Sequence, residues 1–270
     1  MASPEQILAE QGQCADDQLS VLETALALAA LHRPTSAIEA ARDQVVALAA
    51  AVRRNLTAGA SMDRVISAMA ETLCGTGGFG LGGDTADGHE LPEALSERRG
   101  GRDTLAVLWL CVADCAGLNV EMLSFPLQAL VRLGDGRNGR AIMDCADGRA
   151  LPAPALRTLH KLDSGPNAEL EPAFFNPLSR RDAVLRWRQG LKMRHLRLGT
   201  VKPALAVVES ALLFSPNRAG LWREVGLMRL RLDDLAGAAA ALEQFVQRED
   251  NVLARGKGKQ LLAEVRSRMR

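Results

Sequence analysis

Tyrosine is absent from this 270-residue chain, and aromatic residues of all kinds make up 3% of it. Surfaces that grip single-stranded nucleic acid stack bases on exposed rings, so no nucleic-acid partner is expected. Long apolar runs are missing as well. None approaches the roughly 18 residues that a membrane helix needs, so no membrane span is expected. The apolar stretch 25–31 is short and follows acidic residues, which is the wrong start for a secretory signal. Cysteine is sparse: five residues, at 14, 74, 111, 115 and 145, an odd number without the spacing of a disulfide framework. Reduced thiols in a cytoplasmic setting fit that pattern. The four histidines (32, 89, 160 and 195) are scattered. Cys111 and Cys115 are four apart, but no second pair has metal-ligand spacing, so neither a metal site nor a cofactor is expected.

What is present is a globular composition, 47% hydrophobic and 24% charged, rich enough in alanine and leucine to favour helices. The net charge of +1 conceals two unlike halves. Residues 1–177 hold 14 basic and 23 acidic side chains; residues 178–270 hold 19 and 9. Such a division permits attraction between the halves, or a cationic half that receives an acidic partner.

The most informative pattern is a repeat of period 34. The segment RLGTVKPALAVVESALLFSPN (197–217) lies over RLDDLAGAAAALEQFVQREDN (231–251), with Arg197/Arg231, Ala204/Ala238, Glu209/Glu243 and Asn217/Asn251 coinciding. That period is the mark of the tetratricopeptide repeat, a helical hairpin that buries its apolar face only by stacking on a neighbour. Helices are predicted over 182–196, 201–214, 218–230 and 235–247, with Thr200, Asn217 and Asp233 or Asp234 as N-caps. A last helix over 252–270 would cover the open end.

Upstream, helices are predicted over 16–31, over 36–55 with Ser36 and Glu39 as a capping box, and over 61–74. Residues 75–88 hold seven glycines and read as a loop. Gly75-x-Gly77-x-x-Gly80 is formally a dinucleotide fingerprint, but a helix precedes it where a strand is required. Residues 102–116 are apolar on nearly every side and read as a buried central helix that Gly117 ends. Strands are predicted over 120–125, 129–133 and 140–144, with Asp135-Gly136 and Asn138-Gly139 turning between the last two. Residues 152–162 read as helical or irregular, and 164–177, rich in proline and small residues, as a linker or cover.

A buried helix leading into an antiparallel sheet is the core of papain-like and transglutaminase-like folds. The segments RRGGRDTLAVLWLCVADCAGL (98–118), FPLQALVR (125–132), IMDCADG (142–148), RWRQGLK (186–192) and WREVG (222–226) together resemble the bacterial transglutaminase-like/tetratricopeptide-repeat family of the SirB-one type, over roughly residues 60–251. The resemblance implies an α+β, mostly helical chain. A transglutaminase-like core with a small antiparallel sheet would occupy 1–163, a linker 164–177, and two repeat hairpins with a capping helix 178–270.

Carrying the family's active site across leaves little of it. The nucleophile position falls on Arg102, the histidine position on Gln128 and the acidic position on Asp144. A guanidinium stays protonated and cannot attack an acyl carbon; an amide cannot shuttle a proton near neutral pH. The expectation is a pseudoenzyme in which Arg102 and Asp144 pair where thiol and imidazole would meet. Cys145, beside Asp144, and Cys115 are the residues on which a displaced cysteine acyltransferase or peptidase would rest. On the repeats, the groove side is expected to show Arg186, Gln189, Met193, Arg223 and Leu227, with the arginines holding carboxylates of a protein or peptide. An adaptor or scaffold follows as the function; a self-associating structural protein is the other non-catalytic possibility.

Overall fold

The computed structural model describes residues 2–57, 59–83, 90–134 and 139–269. The chain forms two compact units. One is Ala15–Trp187; the other joins Met1–Cys14 to Arg188–Arg270. The expected division at 164–177 is therefore displaced: the boundary falls inside a helix, and the first helix belongs with the repeats.

In the larger unit, helices α2 (Val21–Ala30), α3 (Thr35–Arg54) and α5 (Leu91–Glu97) pack on α6 (Arg102–Ala116), and α4 (Met62–Ala70) lies between α3 and α5 in the chain. Every residue from Thr104 to Ala113 in α6 is buried, as an all-round apolar run requires. Gly117 ends it with φ 75°, a left-handed cap that suits a residue without Cβ. The expected helix 16–31 starts later, at Val21, because Ser20 accepts from the Glu23 amide and sets the cap there. The expected Ser36–Glu39 capping box does not form. Pro34 is the N-cap of α3, and the helix already includes Thr35. A single π-helical turn, Glu71–Gly75, follows α4.

Two small sheets complete the unit. Strands β1 (Gly80–Leu81) and β2 (Arg99–Gly100) pair in parallel, inside a stretch read from sequence as loop. The other sheet has order β3 (Val120–Met122), β4 (Leu130–Leu133), β5 (Ala141–Asp144), all antiparallel. Val120 faces Leu133 and Leu130 faces Asp144. Residues 135–138, with the predicted turn, lie outside the described residues. Helix α7 (Ala153–Ser164) follows. Residues 164–177 serve as a cover. The Ser124 amide donates to the Asn176 carbonyl (2.9 Å), the Leu178 amide donates to the Met122 carbonyl (2.8 Å), and Phe174 and Phe175 pack on Phe125.

In the repeat unit, the second half of α8 (Arg180–Arg197) joins α9 (Val201–Phe214), α10 (Ala219–Arg231), α11 (Leu235–Arg248) and α12 (Val252–Arg268). Ala204, Val208, Leu212, Val225, Met228 and Ala241 form one core; Ala238, Ala239, Leu242, Leu262 and Val265 form the next. Helix α1 (Pro4–Gln13) packs on α9, with Gly12 against the backbone of Leu213 and Phe214. Asp234 caps α11 through the Gly237 amide (2.9 Å), and Asn251 caps α12. Thr200 is the N-cap residue of α9 but makes no side-chain capping bond, and Asn217 is displaced as N-cap of α10 by Arg218. Thr200 donates its hydroxyl back to the His195 carbonyl, and α10 starts after Arg218.

Candidate functional site

The N-terminus of α6, the end of β5 and the loop before β4 converge. Arg102 is the first residue of α6, and its Nη1 lies 3.4 Å from Asp144 Oδ2 at the end of β5. The expected contact is present, but it is long and Arg102 is partly exposed. Asp144 is buried, and its other oxygen accepts the Ala146 amide at 2.9 Å. Gln128 is also buried. Its Nε2 donates to Asp163 Oδ2 on α7 at 2.6 Å, while its Oε1 is buried without a hydrogen-bond partner.

The loop carrying Gln128 is held by Arg186. Its Nη1 donates to the carbonyls of Leu123 (3.2 Å) and Phe125 (2.9 Å), its Nη2 to the carbonyl of Gln128 (2.7 Å), and its Nε to Asp103 Oδ1 (3.1 Å). Leu127, inside that loop, has φ 60°, a strained conformation for a side chain branched at Cγ. Next along α8, Trp187 Nε1 donates to Thr104 Oγ1 of α6 at 3.1 Å. This overturns the placement of Arg186 on the repeat groove. Its guanidinium is committed to the larger unit, together with Arg180, which forks onto Asp114, and Arg181, which pairs with Asp16. Three of the cations counted with the basic half thus lie within the larger unit and compensate that unit's own acids.

Burial pushes the Cys74 thiol up to about 11, and the charges of Asp147 and Asp144 add to the shift. Burial likewise raises Cys145 and Cys111 well above the ordinary thiol range, and raises Cys115 with Asp114 adding. A reactive cysteine needs the opposite environment, cationic and partly exposed. His160 is packed among Phe125 and Phe174, with Nδ1 3.4 Å from Ser164 Oγ. A polar cavity of about 620 Å³ lies beside the π turn, lined by Arg64, Glu71, Cys74 and Asp147. No cluster of three or more His, Cys, Asp or Glu poised for a metal occurs among the described residues. No described helix is long and apolar enough to cross a membrane.

The sequence profile of the transglutaminase-like superfamily matches residues 39–189, and that of a tetratricopeptide repeat matches 191–270. The chain belongs to the transglutaminase-like superfamily. Among curated relatives, a UPF0162 protein of Pseudomonas aeruginosa is 26% identical over 155 residues, covering 55% of this chain and 56% of that protein. A UPF0162 protein of Xylella fastidiosa is 29% identical over 161 residues, covering 58% and 57%. The matched region thus spans little more than half of each relative. A crystal structure of menin, described as revealing its binding site for the Mixed Lineage Leukemia protein, aligns with TM-score 0.43 and 11% identity over 90% of this chain and 68% of menin. That likeness is too distant to bear on function.

The repeat unit carries the second set of expected residues. Gln189, Met193, Arg223 and Leu227 are all exposed. Met193 and Leu227 line a cavity of about 420 Å³ between α8 and α10; Leu227 and Arg223 also line one of about 460 Å³ between α10 and α12. Gln189 lines neither and accepts a hydrogen bond from Lys192. Sequence reasoning missed the four-bond clamp of Arg186 and the unpartnered Gln128 oxygen. The conspicuous RWRQG segment was the available signal for the first.

Proposed function

We propose that this protein is a non-catalytic, cytoplasmic adaptor: a transglutaminase-like unit without acyl-transfer activity, joined to a repeat unit that binds another protein. The single observation that carries this reading is Arg102 at the first position of α6, paired with Asp144, in a unit whose buried thiols are held neutral. Acyl transfer needs a nucleophile whose proton a nearby base removes. A guanidinium at the helix start and an amide at position 128 supply neither. Tetratricopeptide repeats generally mediate protein–protein contact, and the two apolar cavities along α8, α10 and α12 give this one a surface for it.

The test is amine incorporation into a glutamine-containing peptide, and peptide hydrolysis, by the full chain beside its Cys74→Ser, Cys115→Ser and Cys145→Ser variants. Rates equal to the protein-free blank in all four are expected. Turnover that disappears with one cysteine overturns the non-catalytic reading and identifies the nucleophile.

A further inference from the structure

We infer that the repeat groove takes an acidic segment with apolar anchors, so that its partner presents Leu-, Ile- or Phe-type side chains flanked by Asp or Glu. This rests on the adaptor reading and specifies the chemistry of the partner. The two cavities share Leu227, which joins them along the inner faces of α8, α10 and α12. Their floor is apolar: Met193, Leu196 and Leu230 on one side of Leu227, Leu253 and Leu261 on the other. Met193 is 42% exposed, Leu227 38% and Leu253 79%, so the apolar lining of both cavities is open to water.

The rim decides the sign of the partner. Arg223, Arg231 and Lys257 line the cavities and are exposed, and none has a hydrogen-bond or ion-pair partner among the described residues. The lining carboxylate, Glu224, is already taken by Lys192 at 2.8 Å. Three uncommitted cations therefore edge an apolar trough with no uncommitted acid among its lining residues. A basic partner would be repelled. A neutral apolar one would leave the charges unused. An acidic amphipathic segment satisfies both the floor and the rim. Nucleic acid would find the charge but no exposed ring to stack on, since the trough has no aromatic residue beyond the buried Phe245.

The experiment is selection of random phage-displayed peptides on the full chain, followed by fluorescence anisotropy with the enriched peptides synthesised. Enrichment in Asp and Glu beside large apolar residues is expected. Affinity should fall about tenfold or more in the Arg223→Glu/Arg231→Glu/Lys257→Glu variant, and fall with added salt. Leu227→Ala should weaken the same peptides, with circular dichroism confirming that both variants keep their helices. Peptides that depend on Leu227 but carry no acids, or that bind the charge-reversed chain equally well, overturn the acidic specificity and leave the adaptor reading standing. A selection that enriches no peptide overturns both.

Discussion

Arg186 Nη2 donates to the carbonyl oxygen of Gln128 at 2.7 Å, and through that bond a residue from the signature preceding the repeats shapes the loop beside the α6 N-terminus. With its bonds to Leu123, Phe125 and Asp103, the guanidinium satisfies three backbone acceptors and one carboxylate. Only arginine offers donors in such a fork.

Arg186→Ala should therefore destabilise the transglutaminase-like unit by about 2–4 kcal/mol, because it orphans buried carbonyls as well as removing bonds. Arg186→Lys should recover only part of the loss. Arg223→Ala, at an exposed side chain, should stay within about 0.5 kcal/mol. Urea unfolding of the three variants checks the ranking.

The Arg102–Asp144 pair should contribute unequally. Arg102 is partly exposed and its contact is long, so Arg102→Ala should cost under about 1 kcal/mol. Asp144→Ala should cost more, since the buried carboxylate also accepts the Ala146 amide at the turn after β5. Equal denaturation midpoints for the two variants would contradict this asymmetry.

Packing makes a separate prediction for the repeats. A Cβ on Gly226 would meet Leu242 Cγ at 2.8 Å, and one on Gly258 would meet Phe245 Cε1 at 2.5 Å. Gly226→Ala and Gly258→Ala should each cost about 1–3 kcal/mol by overpacking, against the small gain that alanine brings to an open helix. Thermal melting resolves it.

Raised thiol pKa values also set a pH dependence. The fold favours the protonated forms of Cys74, Cys111 and Cys145. Their contribution is full below the unfolded thiol value and is lost as pH rises through the folded ones. For Cys74 the window runs from 9.0, the ordinary value, to about 11. Urea midpoints should be flat up to the start of that window and fall through it. Cys74→Ser should flatten the decline in part.

Local signals carried much of the architecture. The all-round apolar run ending at Gly117 defines α6 at both ends, and the period of 34 locates α8 to α11, because each pattern is contained within its own element. What escaped sequence reading depends on distant partners. Strands β1 and β2 have two residues each, too few to show alternation. Helix α1 joins a unit whose other residues begin at Arg188, and no local pattern announces that. Pro34, with its fixed φ, starts α3 ahead of the Ser36 capping box. Arg186 fits a repeat helix by spacing, yet it is claimed by carbonyls some sixty residues upstream. At the candidate site the Arg102–Asp144 contact was legible in the sequence. The partner of Gln128 was not, since Asp163 lies on another helix.

The pH dependence of iodoacetamide alkylation at Cys74, Cys115 and Cys145, followed residue by residue by mass spectrometry on the folded chain, tests most directly the proposal that the unit has no catalytic nucleophile. A non-catalytic unit predicts slow modification near neutrality and rates still climbing above pH 9, with Cys74 rising toward about 11. A thiol whose rate reaches its plateau below about pH 7, the signature of an activated thiolate, would contradict it.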